Sequence, residues 1–270
     1  MYLIFGAAHI ILWQRQSIKV IKMKIQRFQS EELPYGILER FGLTQEMFED
    51  LPQKAIEDIL DGRRSPVLPI RVIDESGEEI HARTRFAFVR MDDNSVDVVF
   101  YPQLKAGRLD RFTDEERKAL LEHRPVIAPV NIPERREIQA FHQIDQGTNQ
   151  IIYVPTPVIG RNLEYAANEM KLTNAELTCL QKGLPITVMD GDDLYTIGID
   201  LNEKTGVRFT RGDEKKWREE QRQGFGRYNF GLNGCWVADG EGNLDYVPEA
   251  SYTEELWEEM RKRNNMTLKH

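Results

Sequence analysis

Two stretches with one layout decide the fold: Thr113-Asp-Glu-Glu116 to Leu121, then Pro125-Val126-Ile127; and Thr173-Asn-Ala-Glu176 to Leu180, then Pro185-Ile186. Both open with T-x-x-E, the pattern of a capping box. In this motif the Thr hydroxyl and the Glu carboxylate accept hydrogen bonds from backbone N–H groups that the first helical turn leaves unpaired. Thr and Pro are 12 residues apart in each. The spacing therefore predicts a helix followed by a strand, in two copies.

A third copy precedes these two. It runs from Pro52 to Leu60 and continues as Gly62-Arg63-Arg64-Ser65-Pro66-Val67, with two inserted arginines. Pro52 stands in the place of the capping threonine, since proline suits the first turn of a helix. If Gly62, His123 and Gly183 are equivalent helix ends, the copies are spaced 61 and 60 residues apart. A period of this kind indicates a repeated structural unit.

After each predicted helix come three runs of β-branched and aromatic residues, separated by turns of Asp, Asn and Gly. The predicted strands are Val67–Ile73, Glu79–Arg90 and Val96–Tyr101 in the first unit; Val126–Val130, Glu137–Ile144 and Ile151–Val154 in the second; and Ile186–Met189, Leu194–Asp200 and Val207–Thr210 in the third. The expected fold class is α+β. It consists of repeated units of one helix plus a three-stranded antiparallel sheet (α-β-β-β), with a small C-terminal α+β segment.

The rest of the chain predicts additional helices and one hairpin. The helices are two short ones within Leu33–Phe48, a linking helix at Arg161–Met170, one around Lys215–Gln223 and a last one capped at Ser251; the strands are Tyr228–Leu232, Cys235–Val237 and Leu244–Val247. The predicted organisation is an apolar and basic arm (1–25), the first unit with its preceding helices (26–107), the second unit (108–160), the linking helix with the third unit (161–212) and the C-terminal segment (213–270).

Composition places the chain among ordinary globular proteins, with 40% hydrophobic and 30% charged residues. Its net charge of −8 disfavours sequence-independent binding to phosphate backbones. The segment from Tyr228 to Met260 holds eight acidic residues and no Lys or Arg. The two cysteines, Cys179 on a predicted helix and Cys235 on a predicted strand, exclude a disulfide scaffold and suit reduced, packed thiols in the cytoplasm.

The N-terminal region does not indicate a membrane span. The apolar run Leu3–Trp13 is about eleven residues long, where a bilayer needs roughly twenty. Basic residues follow this run instead of preceding it, which is the reverse of a signal peptide. We expect Met23 to be the natural start, with residues 1–22 as upstream sequence or a loosely attached arm, and a cytoplasmic protein with no membrane partner; a membrane-surface helix is the alternative.

No catalytic constellation is predicted. The five histidines lack metal-site spacing, and neither a phosphate-binding loop nor a nucleophile motif occurs. The acidic pairs Asp92/Asp93 and Asp192/Asp193 lie in predicted hairpin turns, where Asp bonds its own backbone, and Asp145 with Thr148-Asn149 is interpreted in the same way. The sequence therefore predicts no catalytic residues, no metal ligands and no cofactor.

A basic strand face is the first candidate site. In the strand from Ile80 to Arg90, alternation places His81, Arg83 and Arg85 on one face. Together with the nearby arginines they form a predicted nucleic-acid-binding set: Arg63, Arg64, Arg71, Arg83 and Arg85. Guanidinium groups match phosphate oxygens in shape and charge. The alternative is a solvated sheet face paired with Glu75, Glu78 and Glu79, and this is the favoured interpretation.

The aromatic residues of the C-terminal segment are the second candidate. The predicted partner-binding set is Tyr228, Phe230, Trp236, Tyr246 and Trp257. Trp and Tyr are enriched in binding hot spots. Packing of a small terminal core is the alternative, and it is favoured.

Several further motifs resemble a known family. They include Leu33-Pro34-Tyr35, Phe41-Gly42-Leu43-Thr44, the stretch from Gly62 to Pro69, and Phe100-Tyr101-Pro102; later ones are Val154-Pro155-Thr156-Pro157, Tyr228-Asn229-Phe230-Gly231 and Gly234-Cys235-Trp236-Val237. Together they look like the domain of unknown function 4099, from about Gln26 to Met260. The repeated units are similar to the domain of unknown function 3945. The resemblance implies a Bacteroides-type bacterial protein associated with mobile genetic elements, and it brings no catalytic residues.

Two functions follow as hypotheses. The first is a non-enzymatic accessory or adaptor protein of a mobile element that binds another, unknown protein. The second is a nucleic-acid-binding module that uses the basic strand face of the first unit.

Overall fold

The structure is a computed structural model that describes residues 27–73, 76–131, 137–222 and 225–267. The predicted arm at 1–25 lies outside these ranges. The helices are α1 (Tyr35–Arg40), α2 (Gln45–Glu49), α3 (Gln53–Leu60), α4 (Asp114–Leu121), α5 (Thr156–Met170), α6 (Asn174–Gln181), α7 (Glu214–Arg222) and α8 (Glu254–Thr267). Two short 3-10 helices span Ser30–Glu32 and Glu249–Ser251.

The strands form four sheets of three strands, each in consecutive chain order. They are β1 (Leu68–Ile73), β2 (Glu79–Arg90) and β3 (Val96–Pro102); β4 (Val126–Val130), β5 (Ile138–Ile144) and β6 (Ile151–Pro155); β7 (Ile186–Asp190), β8 (Asp193–Ile199) and β9 (Val207–Arg211); and β10 (Tyr228–Phe230), β11 (Gly234–Ala238) and β12 (Leu244–Pro248). Helices alternate with these sheets along the chain. The predicted α+β class with repeated sheet units is confirmed.

The helix-start signals are confirmed in atomic detail. The Thr113 hydroxyl accepts from the Glu116 N–H at 3.3 Å, while the Glu116 carboxylate accepts from the Thr113 N–H at 2.8 Å. Thr173 and Glu176 repeat this arrangement at 3.3 and 2.7 Å. The last helix differs from its prediction, because Thr253 and not Ser251 caps it: the Leu256 N–H donates to the Thr253 hydroxyl, and Ser251 ends the preceding 3-10 helix.

The three predicted helix ends also share one backbone conformation. Gly62, His123 and Gly183 all have left-handed φ angles, of +83°, +58° and +80°. Glycine adopts this conformation without steric cost, and helices commonly end in it. His123 holds the same conformation as a non-glycine residue. The equivalence that sets the repeat spacing is therefore real in the backbone.

The C-terminal segment is a fourth copy of the unit, which the sequence pattern did not predict. In every sheet the turn between the second and third strands contains an aspartate whose Oδ1 accepts the N–H two residues later: Asp93 from Ser95, Asp145 from Gly147, Asp200 from Asn202 and Asp239 from Glu241. The helix before the fourth sheet starts at Asp213, whose carboxylate accepts the Lys216 N–H at 2.9 Å. This helix start lacks the threonine of the second and third copies, because Asp performs the same capping role. The threonine pattern therefore does not identify it.

The described chain divides into two compact units. Unit 1 holds residues 112–143 and 152–217, and its core contains Phe141, Leu163, Leu180 and Ile197. Unit 2 holds residues up to 111, 144–151 and from 218 onward, and its core joins residues of the first sheet, such as Phe86 and Phe88, to Trp236 of the fourth. The predicted five-part organisation stays a prediction.

Inside unit 1, one buried side chain connects the second and third copies. Gln143 is fully buried; its amide donates to the His123 carbonyl at 3.1 Å and its Oε1 accepts from the Leu201 N–H at 2.8 Å. The helix end at Gly183 also lies against the second copy. A Cβ atom at Gly183 would come within 2.8 Å of the Pro125 carbonyl oxygen, so this approach requires glycine.

We predict that Gly183→Ala destabilises the protein more than Gly191→Ala does. Both glycines have left-handed φ angles, so each substitution carries a conformational cost of about 1–2 kcal/mol. Only Gly183 adds a clash, because nothing lies within 4 Å of a Cβ at Gly191. Urea denaturation of both variants measures the difference, and equal losses of stability would contradict the close contact with Pro125.

Candidate interaction surfaces

All five arginines of the predicted nucleic-acid-binding set face a carboxylate of unit 2. Their ion pairs are Arg63 with Asp58, Arg64 and Arg85 with Asp145, Arg71 with Glu79, and Arg83 with Asp245. The shortest is the contact between Arg83 Nη2 and Asp245 Oδ2, at 2.7 Å. The set is thus largely occupied by acidic partners within the same unit.

The partners expected from the sequence were local acids, and for Arg64, Arg83 and Arg85 the structure supplies distant ones. Arg71 does pair with the predicted Glu79. Asp145 and Asp245, however, are 60 and 162 positions from Arg85 and Arg83 in the chain. No local pattern could identify such pairs, because they arise only when the turn between β5 and β6 and the strand β12 are folded into unit 2.

Asp145 is the centre of the arginine arrangement. Its side chain is fully buried, and Arg64 and Arg85 approach it at 3.5 and 3.4 Å. The Thr148 hydroxyl donates to Asp145 Oδ2 at 2.8 Å and the Gly147 N–H donates to Oδ1 at 3.1 Å. A buried carboxylate needs such partners, because an unpaired one carries a large desolvation cost. The turn interpretation of Asp145 and Thr148 is therefore confirmed, with two arginines added.

The aromatic candidates separate into buried and surface members. Trp236 is fully buried; its ring packs 5.1 Å from that of Tyr246, and its Nε1 donates to the Met47 carbonyl at 2.8 Å. Tyr246 is half-buried. Its burial and, as a smaller cause, its hydrogen bond to Asp50 raise the pKa of its hydroxyl. These two residues hold the fourth sheet on the core of unit 2.

The other aromatic candidates form a row of half-buried rings, which we call the aromatic row: Tyr228, Phe230, Tyr252 and Trp257. Successive ring centroids are 6.2, 5.9 and 5.2 Å apart. The Tyr228 hydroxyl donates to Glu255 of α8 at 2.8 Å, and this bond raises the Tyr228 pKa. Burial raises the pKa of Tyr252 to about 12. The row joins β10 to the beginning of α8. Packing within the C-terminal segment, the interpretation favoured from the sequence, therefore describes these rings. They also remain partly exposed.

A second buried carboxylate, Asp50, fixes the turn between β10 and β11. Its Oδ1 accepts from the Leu232 N–H at 2.7 Å; its Oδ2 accepts from the Asn233 N–H at 3.0 Å and from the Tyr246 hydroxyl at 2.6 Å. Asp50 is 3% exposed. Leu232, at the apex of this fixed turn, is 91% exposed. Sequence reasoning did not single out either residue, since an acid at the end of a short helix and a leucine in a turn carry no motif.

Asp50→Asn should lower the free energy of unfolding by about 2–4 kcal/mol, because hydrogen bonds to a charged group contribute roughly 1.5–3 kcal/mol each. The amide keeps only one acceptor oxygen for three donors. Urea denaturation followed by intrinsic tryptophan fluorescence measures the loss. Glu39→Gln, which neutralises an exposed carboxylate of unit 2, should stay within about 0.5 kcal/mol of the parent. Equal behaviour of the two variants would contradict the role of Asp50.

Within the described ranges no group of three or more His, Cys, Asp or Glu side chains is placed to hold a metal ion. Both cysteines are free thiols, on α6 and β11 as expected, and burial raises the pKa of Cys235 to about 11. Among the helices that the structure describes, none combines the length and apolarity needed to cross a bilayer.

The fold and surfaces describe an α+β protein of small repeated sheets, with a buried carboxylate paired to two arginines in unit 2. Residues 28–112 match the family model described as "Protein of unknown function (DUF4099)". This range covers roughly a third of the chain and supports the resemblance for the first unit. No curated protein and no solved structure matches the chain. The matched family supplies no activity and no residue roles.

Proposed function

We propose that this chain is a non-enzymatic accessory or adaptor protein of a bacterial mobile genetic element and that it acts by binding another protein. The association with Bacteroides-type mobile elements rests on the family resemblance. The binding role rests on one feature of unit 2: Leu232 presents an almost fully exposed apolar side chain from a turn whose backbone is fixed by a buried carboxylate.

A fixed apolar side chain suits recognition for an energetic reason. Binding normally costs conformational freedom in the loops that become ordered. The backbone around Leu232 is already held by hydrogen bonds to Asp50, so this part of the cost is met in the folded chain. Phe230 and Tyr228 precede the turn on β10, and their half-exposed rings add the residue types that concentrate binding energy.

A tagged chain should recover a stoichiometric protein partner from a lysate of the native host, and Leu232→Asp should abolish that recovery. A charge at this position opposes burial against an apolar partner surface. Leu121→Asp is the matched control, because Leu121 is also exposed, at 65%, but lies in unit 1. Quantitative mass spectrometry of the recovered proteins provides the measurement. A partner retained equally by both variants, or no stoichiometric partner, would count against the proposal.

The nucleic-acid alternative leads to a different expectation. Because the five arginines are paired with carboxylates, we expect gel shifts at low salt with short duplex and single-stranded DNA and RNA to show no binding by the parent chain. Binding that is lost in the Arg83→Ala, Arg85→Ala double variant would instead establish the alternative. Lys54→Ala, which removes an exposed cation outside the set, is the control for a general charge effect.

A further inference from the structure

The turn between β5 and β6 belongs to unit 2. Its sequence is Asp145-Gln-Gly-Thr-Asn-Gln150. Asp145 and Thr148 are both fully buried. A polar turn at the surface normally exposes such residues, so the surface of unit 2 that covers this turn has to supply matching partners.

The carboxylate of the turn is matched by two arginines. Arg64 and Arg85 approach Asp145 from the first sheet and the segment before it. The Arg64 guanidinium also lies 4.0 Å from the centroid of the Tyr101 ring, and stacking of this kind holds a guanidinium in place. The position of the positive charge is thus set by residues outside the turn.

The backbone of the turn is matched by the end of β3 and the residues after it. The Leu104 N–H donates to the Thr148 carbonyl at 2.7 Å, and the Gln103 side chain donates to the Gly147 carbonyl at 2.8 Å. In the other direction, the side chains of Asn149 and Gln150 donate to the carbonyls of Leu104 and Pro102 at 2.8 and 2.7 Å. The turn thus accepts through two of its carbonyls and donates through two of its amide side chains.

The third position of the turn leaves little room for a side chain. A Cβ atom at Gly147 would lie 2.7 Å from Arg85 Nη2 and 2.8 Å from Val67 Cγ2. The surface therefore pairs with an acid at the first position, favours glycine at the third and accepts hydrogen bonds from the amide side chains at the fifth and sixth, while the Thr148 hydroxyl bonds Asp145 within the turn itself. The residues that make these contacts (Arg64, Val67, Arg85, Tyr101, Gln103 and Leu104) all lie inside the segment that matches the family, 28–112, whereas the turn lies outside it.

We propose that the family-matched segment is a receptor for a polypeptide turn of the pattern Asp-x-Gly-Thr-Asn-Gln. In this chain the receptor is filled by the chain's own turn at 145–150, and the same turn presented by another polypeptide competes for it. This inference deepens the proposed binding function by naming a ligand class. It uses a surface other than that of Leu232.

The test uses the full chain with its own turn removed from the receptor. In one variant a two-residue Asn-Gly turn, which suits a tight hairpin, replaces residues 145–150; in the other, Gly147→Val expels the turn by its added side chain. The probe is a synthetic peptide of residues 144–151 closed by a disulfide between two added flanking cysteines. Isothermal titration calorimetry measures binding, and circular dichroism checks the fold.

We expect the peptide to bind both variants at least tenfold more tightly than it binds the parent chain, whose receptor is filled. A peptide carrying the Asp145→Asn and Gly147→Val changes should bind at least tenfold more weakly. Arg64→Ala with Arg85→Ala, introduced into the shortened variant, should have the same effect. Glu39→Gln in that background is the control and should leave binding unchanged.

Three results would overturn the receptor. They are no binding to either variant, binding that ignores the peptide changes or the arginines, and unfolding of both variants, which would make the turn part of the core and not a ligand. If the peptide does not bind as expected but the Leu232-dependent partner is still recovered, only the receptor proposal is contradicted. Peptide binding as expected, with no stoichiometric partner recovered or with a partner that Leu232→Asp leaves in place, removes the proposed use of Leu232 instead.

Discussion

Two buried carboxylates organise unit 2, and the rest of that unit depends on how they are matched. Asp50 and Asp145 are 3% and 0% exposed. A carboxylate in such a place is stable only when donors surround it. Asp50 collects two turn N–H groups and a tyrosine hydroxyl; Asp145 collects a turn N–H, a threonine hydroxyl and two arginines. Each thereby joins the first sheet and its helices to a turn that lies far along the chain.

The repeated unit explains why turns can join distant parts of the chain. All four sheets carry an aspartate in the turn between their second and third strands that bonds the N–H two residues later. The same local turn thus occurs four times, with different further partners. Asp145 meets Arg64 and Arg85, Asp200 meets Arg208 at 3.1 Å, and Asp93 remains bound to its neighbour Ser95.

The ion pairs change the interpretation of the arginines that distinguish the first unit. Their number and alternation suggest phosphate binding, yet each of them forms an ion pair with a carboxylate of unit 2. Neutralised arginines contribute little to long-range attraction of a polyanion. Recognition of a polypeptide turn uses the same guanidinium chemistry with a carboxylate in place of a phosphate. Both proposals made for this protein accordingly concern protein ligands.

The sequence by itself determined the α-β-β-β unit, the capped helix starts, the left-handed helix ends and most strand limits. These features depend on residues a few positions apart, so local chemistry decides them. The sequence pattern did not predict the fourth copy, because Asp213 caps its helix in place of threonine. Tertiary structure alone decided that Arg64 and Arg85 meet Asp145 and that Arg83 meets Asp245. It also decided that Leu232 is exposed and that the turn at 145–150 is covered. Such pairings join residues 60 or more positions apart, and only the folded chain brings them within bonding distance.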